Sequence, residues 1–299
     1  MVKRILPFVI AGLMVTSAHA QHSPTLRKIQ ETGVITIGFR DKSIPFSFLD
    51  RQQRPIGYSI DLCQRVVDAI RVKMNLPGLE VLMRPVTSAN RISFVVNDII
   101  DLECGSTTNT AERKKDVAFS VTTFVASGSL VSKRARDIHS LQELRGHTVV
   151  STAGTTYVKG LAESNRKLGL GMSIIAGKGH ADSFQLVETD RAAAFAMDDV
   201  LLHGLVANTR NPADYVIYNS ELSVEPYGIV LRKDDPEFKR IVDEALAALF
   251  RSGDINTIYR KWFLSPIPPN RAELHLPMSN ALRKAISFPT DSSDPARYR

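Results

Sequence analysis

Six groups of residues in this chain have the types and spacing to hold a small charged molecule. They are Arg40; Thr87, Ser88, Asn90 and Arg91; Gly105-Ser106-Thr107-Thr108; Gly154-Thr155-Thr156; Gly177-Lys178-Gly179-His180; and Asp198. An arginine can clamp a carboxylate through two parallel N–H bonds. A Gly-Thr-Thr turn that opens a helix aims backbone N–H groups at an anion. The Gly-Ser-Thr-Thr run offers carbonyls, hydroxyls and N–H groups to both ends of an amino acid, and Asp198 can receive an ammonium. Taken singly, each has an ordinary explanation. Asp198 could be a helix N-cap, the hydroxyls could belong to turns, and His180 could be a satisfied histidine. Together they suit a zwitterion that carries one further negative charge.

The groups gain weight from the elements that must present them. Short β-branched runs alternate with helical segments, the pattern of α/β units with largely parallel sheets. The expected strands are 34–39, 80–84, 101–104, 148–152, 172–176, 192–197 and 215–218. Helices are expected at 59–73, 91–99, 111–115, 155–168, 181–189, 198–207, 237–251 and from Asp254 to about Phe263, with a short one opened by the capping box Ser140-Leu141-Gln142-Glu143. Each candidate group follows the carboxyl end of an expected strand, where open α/β sheets bind ligands.

Extended segments at 121–132 and 223–228 carry the chain out to a second α/β unit and back, which makes a natural hinge between two lobes. The expected division is 21–126 for the first lobe, 127–224 for the second and 225–264 for the return. Residues 265–299 form an extension on a lobe surface, with an end rich in Asp, Ser and Pro that is expected to fray.

Lys3 and Arg4, the apolar stretch 5–15 and Ala18-His19-Ala20 have the layout of a signal peptide cut after Ala20. The apolar stretch is shorter than the ~20 residues of a membrane span. No cysteine follows it to take a lipid, so an exported, periplasmic protein is expected. Of 38 basic side chains, loss of Lys3 and Arg4 leaves 36 against 31 acidic ones, and the runs among them are short and scattered. That argues against nucleic acid and for a solvated basic face with a locally positive cleft. The two cysteines, Cys63 and Cys104, permit one disulfide in an oxidising compartment, but their spacing equally allows two buried thiols.

Signals for catalysis are absent. No Gly-x-Ser-x-Gly elbow surrounds Ser106, and the histidines lack His-x-x-x-His spacing for a metal. Gly169-Leu170-Gly171 and Gly177-Lys178-Gly179 stop short of a dinucleotide fingerprint. No cofactor is expected.

The chain resembles the family 3 solute-binding proteins of ABC importers for polar amino acids. The matching stretches include Gly38-Phe39-Arg40, Thr87-Ser88-Ala89-Asn90-Arg91, Glu103-Cys104-Gly105-Ser106-Thr107-Thr108-Asn109, Glu112-Arg113, Gly154-Thr155-Thr156, His180-Ala181-Asp182-Ser183-Phe184, Met197-Asp198-Asp199 and Lys261-Trp262-Phe263. The resemblance implies a two-lobed periplasmic-binding-protein fold and a monomer that delivers its ligand to a membrane permease. It implies that Arg113 holds the α-carboxylate, with Thr156 and the Ser106–Thr108 segment. Asp198, with Ser106 and Thr108, takes the α-ammonium. Arg40, Ser88, Arg91 and His180 surround the side-chain carboxylate of glutamate or aspartate. Another polar amino acid, such as glutamine or asparagine, is the alternative ligand, and an enzyme on the same fold is the alternative class. Ala89 and Phe39 depart from the glutamine and histidine expected at those places, and Ile229 stands where some relatives have cysteine.

Overall fold

A computed structural model describes residues 23–218 and 222–299. The signal peptide expected at residues 1–20, with cleavage after Ala20, lies outside the described residues. Two sheets form the frames of two lobes. In the first, the strand order is Glu80–Pro85, Val34–Phe39, Leu102–Glu103, Val230–Arg232, Val117–Phe119, with the first three parallel. In the second it is Ser173–Gly177, Thr148–Thr152, Ala194–Asp198, Phe124–Lys133, Tyr215–Tyr218, again with the first three parallel. Strand Val230–Arg232 returns antiparallel into the middle of the first sheet, so the chain closes the lobe that it began.

Two segments run between the sheets. The ten-residue strand Phe124–Lys133 pairs its first four residues antiparallel with Val224–Tyr227 and its later ones with the second sheet. An aromatic cluster packs beneath this crossing. Phe124 lies 4.9 Å from Phe46, edge to face, and stacks on Phe263 at 5.2 Å. The Tyr58 hydroxyl donates to the Thr123 carbonyl at 2.8 Å. Edge-to-face and offset aromatic pairs add ~0.5–1.5 kcal/mol each beyond the area they bury, so the hinge is anchored firmly on the first lobe.

Local chemistry explains the helices. Tyr58–Met74 buries Leu62, Cys63, Val66, Val67 and Ile70 on one face and ends at Asn75, which is left-handed. In Pro236–Ser252, proline takes the first position and the Asp235 side chain accepts from Phe238 N at 3.1 Å. The other Asp235 oxygen accepts from Ser23 and Thr25, which ties down the first described helix, Pro24–Thr32. Cys63 and Cys104 are joined in a disulfide with Cα atoms 6.3 Å apart, which resolves the choice that spacing left open.

Several elements differ from the sequence reading. The helix expected at 91–99 stops at Val96, because Asp98 turns left-handed and Ile99 N bonds back to Phe94 O. Residues 111–115 give only the single turn Arg113–Lys115. The capping box opens a 3-10 turn, Gln142–Leu144, in which Glu143 accepts from Ser140 N. The C-terminal segment expected to fray instead packs. It contains the helix Asn280–Ser287 and the turn Pro295–Tyr298. Tyr298 is buried with Ala285 and Val125, and its hydroxyl meets Thr122 Oγ1 at 2.7 Å. One aromatic anchor outweighs the polar composition around it.

Candidate functional site

The strand ends of the two sheets face each other across a narrow cleft. Arg40 follows the first strand, and its backbone N–H donates to Ser47 Oγ at 2.8 Å. After Glu80–Pro85, Thr87 and Asn90 bond reciprocally: Thr87 N donates to Asn90 Oδ1, and Asn90 N to Thr87 Oγ1. That turn sets Ser88 and opens the helix that carries Arg91. After Leu102–Glu103, the Gly105–Thr108 loop is held from both sides. Ser59 Oγ donates to Gly105 O, and Thr108 pairs with Tyr227. From the second lobe come Thr156 and His180, each the first residue of a helix, and Asp198, the last residue of a strand.

The lobes are shut on one another. Gly154, with φ +77°, lies so close to the backbone of Ser88 and Ala89 that a Cβ would sit 2.5 Å from the Ser88 carbonyl. Arg113 bridges the cleft, donating to Thr108 O at 2.8 Å and to Gly154 O at 3.0 Å. Between the lobes is a small space of about 10 Å³, far below the ~300 Å³ at which drug-sized pockets begin. Its wall includes Ser88, Arg91, Ser106, Thr108, Arg113, Thr156, His180 and Asp198. Thus eight of the nine sequence candidates meet there. Arg40 is not on the wall but lies close enough for its charge to act on His180.

Arg40, Arg91, His180 and Asp198 are each 2–3% exposed. Burial lowers the Arg40 guanidinium to about 10, with Arg91 pushing it the same way. Arg113 is lowered to about 10 by burial and then by Arg91. Arg91 itself is lowered by burial, the charge of Glu103 acting against this. Arg40 and Arg113, at about 10, stay cationic at neutral pH. Among the described residues, none of the three arginines forms an ion pair with a carboxylate. Arg40 Nε and Nη1 and Arg91 Nε have no protein hydrogen-bond partner, and the same holds for Ser88 Oγ, Ser106 Oγ and His180 Nε2.

His180 is pushed well below its ordinary value by burial and then by Arg40 and Arg91, so its ring is neutral. Its Nδ1 lies 2.9 Å from Thr152 Oγ1. If the threonine donates, Nε2 carries the proton and becomes a donor toward the cavity. Asp198 is raised well above the ordinary carboxylate value by burial and then by Glu225. It occupies the N-cap position of the helix Asp199–Val206 but makes no side-chain cap bond. Instead it accepts the Tyr157 hydroxyl at 3.2 Å, so the ordinary N-cap explanation does not account for it.

Sequence reading missed Glu103, Glu225, Tyr157 and Tyr227. Glu103 was legible as an acid at a strand end between Leu102 and Cys104, an unusual place for a carboxylate. Glu225 stood within a segment read only as hinge. Its two oxygens accept from Thr156 Oγ1 at 3.2 Å and from Ser223 Oγ at 2.6 Å. Nothing local in the sequence marks such pairings.

Two α/β lobes that close on a small polar cavity, joined by paired crossing strands, define a solute-binding protein. The model of the bacterial extracellular solute-binding proteins, family 3, matches residues 35–265, and the chain belongs to that family. It is 46% identical over 287 residues to the L-glutamate/L-aspartate-binding protein of Pseudomonas aeruginosa, covering 95% of both chains. It is 42% identical over 269 residues to the glutamate/aspartate import solute-binding protein of Escherichia coli, covering 90% of this chain and 89% of that one. Among solved structures, an ancestral arginine-binding protein bound to arginine superposes with a TM-score of 0.70 at 28% identity, over 77% of this chain and 98% of that one. The last comparison shows that the fold alone does not choose the ligand, which must be argued from the site.

Proposed function

We propose that this protein is the periplasmic solute-binding component of an ABC importer and closes its lobes around L-glutamate or L-aspartate. In this reading Arg113, Thr156 and the Ser106–Thr108 segment hold the α-carboxylate, and Asp198, with Ser106 and Thr108, takes the ammonium. Arg40, Ser88, Arg91 and His180 receive the side-chain carboxylate. The observation that carries the reading is the pair Arg40 and Arg91, buried with N–H groups that no protein atom accepts. A buried charge is costly unless it is paired. A side-chain carboxylate supplies that pair, whereas an amide leaves two desolvated guanidiniums with only the Glu103 charge to balance them. The similarity to glutamate/aspartate-binding proteins supports the same choice.

Calorimetric competition among glutamate, aspartate, glutamine and asparagine tests it. The two acids are expected to bind at least tenfold more tightly than their amides, and equal affinities overturn the assignment. The reading includes a monomer that hands its ligand to a membrane permease, export with cleavage after Ala20, and no catalysis. The mass of the protein recovered from a periplasmic extract checks the cleavage. Mass spectrometry of amino acids after incubation checks the last point, since any new product counts against a purely binding role.

A further inference from the structure

One acid near the arginines has no place in the roles above. Glu103 is fully buried at the end of its strand. Its Oε2 accepts the Thr107 hydroxyl at 2.5 Å, while its Oε1 has no protein hydrogen-bond partner. The next turn is shaped around it. A Cβ at Gly105 would collide with Glu103 Oε1 and come within 2.9 Å of Arg40 Cγ, so a larger residue there would require the acid or the arginine to shift. The Glu103 charge acts on Arg40, Arg91 and Arg113 alike. Of the other titratable groups nearby, Asp41 is exposed and acts on Arg40, and His180 is neutral. Asp198 and Glu225 are grouped with Tyr157; the Asp198 charge also reaches Arg91 and Arg113, and that of Glu225 reaches Arg113, while Glu103 is the first-named acid acting on Arg40 and Arg91.

Around the part of the cavity assigned to the side chain thus lie two guanidiniums, a neutral imidazole and one buried carboxylate, with Arg40 and Glu103 behind the wall. Its charge matches a single negative group. We propose that Glu103 is a specificity-determining counter-charge, which makes this end accept a monoanionic side chain and reject a dianionic one of the phosphate-monoester class. Glu103 does this without touching the ligand, by cancelling part of the charge of Arg40 and Arg91. The proposal rests on the ligand reading above and extends it from acidic amino acids to the number of charges they carry.

The test compares L-glutamate with O-phospho-L-serine by calorimetry. A phosphate monoester is largely dianionic above its second pKa of about 6 and largely monoanionic below it. For the wild-type protein, the preference for glutamate over phosphoserine is expected to shrink at least tenfold between pH 7.5 and pH 5.0. Using the ratio removes pH effects common to both ligands. Glu103→Gln keeps the shape and can still accept from Thr107. At pH 7.5 it is expected to lower the same preference at least tenfold. Asp41→Asn removes an exposed carboxylate that also acts on Arg40, and is expected to leave the preference as in the wild type.

A Glu103→Gln protein that folds and binds glutamate with an unmoved preference overturns the proposal. So does an Asp41→Asn protein whose preference shifts as much as that of Glu103→Gln, since the effect is then one of overall charge. Should Glu103→Gln fail to fold, the wild-type pH comparison decides alone, and an unchanged ratio there is fatal to the idea. Phosphoserine undetectable in the wild type at both pH values and in Glu103→Gln also overturns it. Wild-type protein that binds no glutamate sinks the ligand reading, and this proposal falls with it. Glutamate binding with an unmoved ratio sinks this proposal alone.

Discussion

The two charged ends of the cavity are built on opposite plans. At the acidic end, Asp198 accepts the Tyr157 hydroxyl, and Ser223 links Tyr157 to Glu225, which in turn holds Thr156. That end is a continuous hydrogen-bonded chain. At the basic end, Arg40, Arg91, Ser88 and His180 each bury a polar atom that no protein group meets. A folded protein leaves few such atoms, and four residues clustered at one place mark where another molecule supplies the partners. The acidic end is held in shape by the protein's own bonds before it meets an ammonium, and the basic end depends on a ligand to supply its partners.

The largest effect is expected where the plan depends most on the ligand. Arg91→Ala or Arg40→Ala removes a buried cation that a ligand carboxylate would meet, and truncating one partner of such a pair costs ~2–5 kcal/mol. Glutamate affinity should fall by about 30-fold to several thousandfold, read by calorimetry, with circular dichroism unchanged. Unaltered affinity in both variants would refute the assignment of the basic end.

A smaller and more selective loss is expected at the acidic end. Asp198→Asn retains an acceptor for Tyr157 but removes the charge facing an ammonium. A hydrogen bond to a charged group contributes about 1.5–3 kcal/mol, so glutamate should weaken roughly tenfold to a hundredfold. Glutarate, which has both carboxylates and no amine, should lose little. Equal losses for the two ligands would mean that Asp198 supports the cavity without meeting the amine.

The contrast between the ends also explains what the sequence could disclose. The basic end was legible because arginines, a serine and a histidine stand just after strands whose β-branched runs are plain, and the topology brings strand ends together. The strands Val34–Phe39, Thr148–Thr152 and Tyr215–Tyr218 fall where the pattern predicts them. Arg113 entered only through family resemblance, since nothing local distinguishes it from Lys114 or Lys115. The hydrogen-bonded chain around Asp198 was hidden because Glu225 and Tyr157 are 68 residues apart in the sequence and meet only through folding. Tyr298 was hidden for a similar reason: its contact with Thr122 spans 176 residues and is invisible in a segment of polar composition.

The smallest predicted effect concerns protons, and the two ends should again oppose each other. His180 is held well below its ordinary value in the folded protein, while an unfolded histidine titrates near 6.5. Below about pH 6.5 the unfolded chain takes up a proton that the folded one refuses, so this group's contribution to stability falls as pH falls. Asp198 is held well above its ordinary value. From an unfolded value near 3.9 upward, the folded protein keeps a proton that the unfolded chain releases, so its contribution falls as pH rises through that window. His180→Gln should therefore gain stability relative to the wild type as pH drops from 6.5 to 5.5, by at most about 1.4 kcal/mol for the one group. Asp198→Asn should lose relative stability over the same step. Urea unfolding of ligand-free protein at the two pH values measures both differences. A His180→Gln difference that stays constant would show the imidazole to be as free to charge as a surface histidine, and the neutral donor assigned to the basic end would have to be abandoned.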